Sequence, residues 1–135
     1  MELDAATIGR LREAAQAAAE RAYAPYSRFR VGAAVLTEDG EVFGGCNVEC
    51  ASYSLTICAE RNAIFHAVAA GHRKVAAVAI YTPTADPTPP CGACRQVLSE
   101  FGPEAEILSF SEGGAEFRAH LGDLLPHSFG PRDLK

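Results

Sequence analysis

The segment that most constrains the fold is VAAVAIYT, residues 75–82, an unbroken apolar run. Such a run is typical of a strand that is buried on both faces, in a sheet that helices cover on each side. Helical segments flank it, one from about residue 58 to Gly71 and one at CGACRQVLSEFG, residues 91–102. Strands that alternate with helices indicate right-handed crossovers and at least partly parallel pairing. The run therefore predicts a sheet between two layers of helices.

The other segments complete the order α-β-β-α-β-α-β-β. Residues 3–27 carry apolar side chains at helical spacing until Pro25 ends the pattern. FRVGAAVLT and EVFGGCNVE flank EDG, which is a hairpin signal, and AEILSF and GAEFRAHL indicate two further strands. The tail from Leu121 has an irregular pattern with room for one helical turn. We predict an α/β fold, a three-layer α/β/α arrangement with a mixed five-stranded sheet, in one domain spanning residues 1–135.

The charge of the chain limits its partners. Its formal net charge is −5 and it has no basic stripe, whereas nucleic-acid binding depends largely on neutralising phosphates. The sequence contains neither an apolar run near the length of a membrane span nor a charged-then-apolar leader. We therefore expect a cytoplasmic protein with a small substrate and with no nucleic-acid or membrane partner.

Three cysteines have the spacing of a metal site. The chain has five cysteines, and an odd number argues against a disulfide framework. Cys91 and Cys94 share one face at a helix start, and Cys58 begins another helix, where free N–H groups and the helix dipole favour thiolates. Three thiolates predict one Zn²⁺ per chain with an open fourth position, as in catalytic sites. The rival interpretation is a closed structural site with four thiol ligands, in which Cys46 and Cys50 join Cys91 and Cys94 in place of Cys58.

Two charged residues follow the first of these thiols. Glu60 lies two positions after Cys58, and in the first turn of a helix both side chains can face inward. A carboxylate beside a zinc-bound water can carry protons to and from a substrate; alternatively, Glu60 only complements the positive helix end. Arg61 could offset the excess negative charge of three thiolates on zinc, as groups that hydrogen-bond to metal ligands do. The alternative for Arg61 is an ordinary surface arginine.

The motifs together resemble a known family. CAE at 58–60 with PCGAC at 90–94 is similar to the signature of the zinc nucleoside deaminases. PYSRFRVGAAV, GCNVE, CAERNAIFHAVAAG, PCGACRQVLSEF and LLPHSF resemble the small, homotetrameric cytidine deaminases, over most of the chain from about Tyr23 to Phe129. The resemblance implies hydrolytic deamination of cytidine, and of deoxycytidine, in pyrimidine salvage.

The resemblance also implies roles for residues near the metal. Glu60 would take a proton from the zinc-bound water, protonate N3 of cytosine and help ammonia to leave. The backbone N–H of Ala59 would anchor the base carbonyl. The zinc ligands would be the three thiolates of Cys58, Cys91 and Cys94.

Further roles implied by the resemblance concern the rest of the substrate. Phe29 would stack on the pyrimidine, and Asn47 and Glu49 would bind ribose hydroxyls, with Glu49 accepting from the 3′-hydroxyl. Phe129 would reach the active site of a neighbouring subunit in a homotetramer. The chain departs from the family where Cys50 replaces the usual Asn after the ribose-binding glutamate.

Three other functions remain open at this point. One is deamination of another cytosine-containing small molecule, such as a blasticidin-type antibiotic. The second is a non-catalytic module in which zinc only stabilises the fold. The third is a polynucleotide editor, which would require a basic groove and aromatic side chains that stack on the flanking strand.

Overall fold

A mixed five-stranded sheet forms the centre of the fold. The structure, a computed structural model, describes residues 3–134. The strands lie in the order β2-β1-β3-β4-β5. Strands β3 and β4 pair in parallel, and the pairs β1–β2, β1–β3 and β4–β5 are antiparallel, which confirms the predicted mixed sheet. The strand bounds are β1 Gly32–Thr37, β2 Val42–Cys46, β3 Val75–Thr82, β4 Glu106–Ser111 and β5 Glu116–His120.

The helices follow the predicted order, with short additions. Single 3₁₀ turns lie at Tyr53–Leu55 and Pro131–Leu134, so the tail contains more than the one helical turn predicted. The first helix ends at Ala19 and not near Pro25, because the next residues pair elsewhere: the Tyr23 N–H donates to the Asn47 carbonyl at 3.0 Å. The helix bounds are α1 Ala5–Ala19, α2 Ala59–Ala69, α3 Gly92–Phe101 and α4 Leu121–Leu124.

Each face of the sheet packs on its own layer of helices. Strand β3 sends Val78 and Ile80 into one core and Ala77 and Ala79 into the other, as alternation along a strand requires. The first core includes apolar side chains of α2, α3 and α4, whereas the second is covered by α1. The predicted burial of β3 on both faces is confirmed. Helices α2 and α3 therefore share one face of the sheet.

Helix α2 lies unusually close to β2 because Gly45 has no side chain. A Cβ added at Gly45 would lie 2.7 Å from Ala63 Cα and 2.8 Å from the backbone carbon of Asn62. Real Cβ atoms essentially never come within 3.0 Å of such atoms. The glycine thus sets the distance between the sheet and the helix that begins after Cys58.

Every helix within residues 3–134 falls short of the length and hydrophobicity that a membrane crossing requires. The domain predicted over residues 1–135 includes Met1, Glu2 and Lys135, which lie outside the described residues.

Candidate active site

Helices α2 and α3 each begin directly after a cysteine. Cys58 precedes α2 and Cys91 precedes α3, both with extended backbone (ψ 156° and 169°). Neither side chain makes a hydrogen bond that caps its helix, so both sulfurs remain available as ligands. Cys94 lies in the first turn of α3 and is fully buried.

The three sulfurs converge at these helix starts. Cys58 Sγ lies 3.8 Å from Cys91 Sγ, and Cys91 Sγ lies 3.5 Å from Cys94 Sγ. All three lie within 4.8 Å of one another. Among residues 3–134, no further histidine, cysteine or carboxylate donor belongs to this group. The rival four-cysteine arrangement is wrong, because Cys46 and Cys50 lie outside it.

The geometry of the three donors suits zinc. With Zn–S bonds of about 2.3 Å, the sulfurs of a tetrahedral site lie about 3.8 Å apart. The two measured separations, 3.8 and 3.5 Å, agree with that spacing. Three thiolates leave one tetrahedral position for water or substrate, which distinguishes catalytic zinc from closed structural sites.

The surroundings of the sulfurs favour a thiolate at Cys58. Hydrogen bonds lower the pKa of the Cys58 thiol to about 5. The largest contribution comes from the Cys94 thiol, and the Arg61 guanidinium and the Cys91 thiol contribute less. The same shared hydrogen bond, together with burial, raises the pKa of Cys94. A metal ion that replaces the shared proton would therefore find a ready ligand at Cys58.

Glu60 is a buried carboxyl group beside these sulfurs. It lies in the first turn of α2 and is only 6% exposed. Burial raises its pKa to about 7, because the charged form loses hydration. A carboxyl group that titrates near neutral pH can both accept and donate a proton, which is what general acid–base catalysis requires.

Arg61 points at the metal-binding sulfurs. Its Nη2 donates to Cys58 Sγ at 3.5 Å, and this contact is the main cause that raises the pKa of the guanidinium. Its Nε is buried without a hydrogen-bond partner among the described residues. This position differs from that of an ordinary surface arginine.

A cavity of about 190 Å³ adjoins the cluster. Typical ligand pockets hold 300 Å³ or more, so this cavity is sized for a single small ring. Its lining includes six residues that the sequence analysis singled out: Phe29, Asn47, Cys58, Ala59, Glu60 and Cys91.

Asn47 and Glu49 bind the chain segment that carries Phe29. Asn47 is 8% exposed; its Nδ2 donates to the Phe29 carbonyl at 2.7 Å and its Oδ1 accepts from the Val31 N–H at 2.9 Å. Glu49 lines a second cavity of about 370 Å³. Thr56 lines both cavities, so the two are neighbours.

Comparison with known proteins identifies this arrangement. The chain matches the family described as the cytidine and deoxycytidylate deaminase zinc-binding region over residues 6–109. The chain belongs to this family. It is 47% identical to a cytidine deaminase from Halalkalibacterium halodurans over 125 residues, which are 92% of this chain and 94% of that protein.

Solved structures of the deaminase family agree with the fold. The crystal structure of cytidine deaminase from Burkholderia pseudomallei is similar at a TM-score of 0.86 and 54% identity, over 90% of this chain and 98% of that one. Cytidine deaminase from Mycobacterium tuberculosis is similar at a TM-score of 0.81 and 42% identity, over 96% and 99%. The family and the fold that the motifs predicted are thus confirmed, and the cofactor of the family is zinc.

One residue predicted for the site lies apart from it in this deaminase fold. Phe129 is 59% exposed and does not line the cavity beside the thiols. Its carbonyl accepts a hydrogen bond from Gln96 Nε2 at 2.8 Å, which attaches the tail to α3. Its predicted role requires a second copy of the chain and stays a prediction.

Sequence reasoning missed the residues that shape the cavity and hold its loops. Arg95 is half-buried and does not face solvent: its Nε donates to the Pro90 carbonyl at 2.8 Å and its Nη1 to the Leu124 carbonyl at 3.0 Å. It thereby ties the residue before Cys91 to α4. The sequence signal for this role was the position of Arg95 directly after Cys94, a predicted zinc ligand. The unpredicted lining residues are Val31, Thr56, Ile80, Thr88 and Pro89.

Proposed function

We propose that this protein deaminates cytidine, and also deoxycytidine, to uridine or deoxyuridine and ammonia. The observation that carries the proposal is the buried carboxyl group of Glu60 on a ring-sized cavity beside three convergent sulfurs. Cytidine deaminase relatives that match at 47% and 48% identity over most of the chain support it.

Cys58, Cys91 and Cys94 would hold the zinc ion. When bound, zinc supplies Lewis-acid activation of a water for attack on C4 of the base. Arg61 donates to the Cys58 sulfur and offsets the negative charge of the thiolates. Glu60 moves the protons: it accepts one from the attacking water, delivers one to N3 and then assists the leaving ammonia.

The base is bound by the start of α2 and by an aromatic ring. Ala59 is the first residue of α2, so its N–H has no acceptor within the helix and can donate to the base carbonyl. Phe29 lines the same cavity and stacks on the pyrimidine. Asn47 lines the first cavity and Glu49 the second; together they bind the sugar, with Glu49 accepting from the 3′-hydroxyl.

We further propose a homotetramer in which Phe129 completes a neighbouring active site. Large apolar side chains remain exposed, among them Leu55, Phe65 and Tyr53, which lines the second cavity, and such groups mark protein contacts. Five free thiols suit the reducing cytoplasm, where pyrimidine salvage takes place. Both cores pack on one sheet, which supports a single domain over residues 1–135.

The test joins metal content to turnover. Purified wild-type protein should contain one zinc per chain and should change the ultraviolet absorbance of cytidine. Glu60→Gln should keep its zinc and lose about 10²- to 10⁴-fold in kcat, the usual contribution of a general acid–base group. A zinc-loaded wild type that leaves every cytosine nucleoside unchanged would refute catalysis, and turnover of a blasticidin-type antibiotic alone would move the activity to that substrate class.

A further inference from the structure

The carboxylate of Glu49 is held by three donors from one short segment. Its Oε1 accepts from the Tyr26 N–H at 3.0 Å and from the Ser27 N–H at 3.1 Å. Its Oε2 accepts a short hydrogen bond from the Ser27 hydroxyl. A single residue, Ser27, thus supplies two of the three donors.

These bonds leave Glu49 little remaining capacity. A carboxylate offers about four lone-pair sites, and Oε1 uses both of its sites on backbone N–H groups. One site remains, on Oε2, and the Ser27 hydroxyl occupies the other site of that oxygen. Glu49 lines the 370 Å³ cavity together with Ser27, so a ligand there meets an acceptor for one hydroxyl.

The same hydroxyl also organises the turn that leads to Phe29. The Ser27 oxygen accepts from the Phe29 N–H at 3.0 Å. Arg28, between them, has a φ of 61°, a left-handed conformation that is uncommon outside glycine. The turn is therefore held by its hydrogen bonds in a backbone geometry that Arg28 does not favour.

We propose that Ser27 is a positioning residue that makes Glu49 an acceptor for a single sugar hydroxyl, and that it thereby sets how strongly turnover depends on the 3′-hydroxyl. The inference rests on the proposed function, in which Glu49 binds that hydroxyl. The Ser27 hydroxyl is also the main cause that lowers the pKa of Glu49, which agrees with its geometry as a donor to this carboxylate.

Removal of the Ser27 hydroxyl should make turnover less dependent on the 3′-hydroxyl of the substrate, and this effect is separate from any loss of stability. Ser27 is exposed, so Ser27→Ala leaves no cavity in the core. Without the hydroxyl, Oε2 has two open sites and the carboxylate is held through Oε1 alone, so Glu49 can accept from a second donor of the sugar. The expected signature is a smaller difference between substrates with and without the 3′-hydroxyl.

The experiment compares kcat and KM for cytidine and 3′-deoxycytidine in four zinc-loaded proteins. These are wild type, Ser27→Ala, Ser27→Thr, which retains a hydroxyl, and Ser99→Ala, which loses a hydroxyl bond to the Gln96 carbonyl on α3. Wild type and Ser99→Ala should favour cytidine by about tenfold in kcat/KM, as one hydrogen bond to a charged group implies. In Ser27→Ala the preference should fall to about threefold or less, mainly through a higher KM for cytidine, and Ser27→Thr should restore it.

The outcomes separate the two levels of the proposal. An equal preference for cytidine in wild type and Ser27→Ala would overturn the role of Ser27. Equal turnover of both nucleosides by wild type would also overturn it, while deamination itself would stand. Wild type that converts neither nucleoside would refute the proposed function.

Discussion

The close contact between β2 and α2 predicts that Gly45→Ala destabilises the protein, whereas Gly44→Ala does not. The two glycines are neighbours on one strand and face opposite sides of the sheet. A Cβ at Gly45 would come within 2.7 Å of Ala63 Cα, which is backbone and cannot rotate away. A Cβ at Gly44 would lie 3.7 Å from Ala18 Cβ, an ordinary contact.

The magnitude follows from the cost of overpacking. Inserting a methyl group into a closed contact typically costs about 1–3 kcal/mol, and for a chain of 135 residues each kcal/mol lowers Tm by about 3–5 °C. Gly45→Ala should therefore melt about 3–15 °C below wild type. Gly44→Ala should melt within a few degrees of it, because Gly in a strand interior is itself unfavourable by about 0.5–1 kcal/mol relative to Ala.

The assay is thermal unfolding of both variants by circular dichroism, with zinc content measured on the same samples. The Gly45 variant should also retain less zinc, since a displaced α2 moves Cys58 away from the thiols of α3. Equal melting temperatures for the two variants would show that the spacing between the sheet and α2 is not set by the glycine. The tight packing inferred at the base of the active site would then be wrong.

Three further predictions concern the site itself. Chelation should abolish activity, and added Zn²⁺ should restore it. By elemental assay, Cys91→Ala should lose its zinc, whereas Cys46→Ala should keep one zinc per chain. Loss of zinc from both variants would indicate a site that includes Cys46. Arg61→Ala removes the donor to sulfur, so it should lower kcat by about ten- to a hundredfold and move the acid limb of the pH–rate profile to higher pH; an unchanged profile would show that the contact between Arg61 and the sulfur does not tune the metal site. Because the Ser27 hydroxyl is the main cause that holds the pKa of Glu49 below its ordinary 4.5, Ser27→Ala should raise that pKa and shift the acid limb of kcat/KM for cytidine upward. A depressed carboxyl pKa stabilises the fold above the ordinary pKa, and the stabilisation is lost as pH falls through the folded value; acid unfolding of Ser27→Ala should accordingly begin at higher pH.

The parts of the molecule that were predictable from the sequence depend on local patterns. The unbroken apolar run at β3 requires helices on both faces, and the glycine that follows α2 marks its end. The thiols were recognisable because Cys91 and Cys94 follow Pro90 at helical spacing and Cys58 precedes an apolar helical segment. The element containing each thiol was thus predictable from its own segment, and the metal site from the combination of the two segments.

The unpredicted features depend on contacts between distant segments. His72 lies 3.3 Å from an Asp39 oxygen and 2.6 Å from a Glu41 oxygen, which ties the loop after α2 to the β1–β2 hairpin. Thr56 directly follows the 3₁₀ turn at Tyr53–Leu55 and lines both cavities. No spacing along the chain encodes these contacts, since they arise from the packing of separate elements.

The position of the metal site follows from packing that contains no ligand. Cys58 and Cys91 meet because α2 and α3 cover the same face of the sheet, and α2 reaches its place because Gly45 admits its backbone. Strand β4 holds the loop before Cys91, because the Ser109 hydroxyl donates to the Thr88 carbonyl at 2.6 Å. Substitutions at such supporting positions should therefore change zinc affinity without touching a sulfur. The three thiols are necessary for the site, but the small and hydroxylated residues beneath them decide whether they meet.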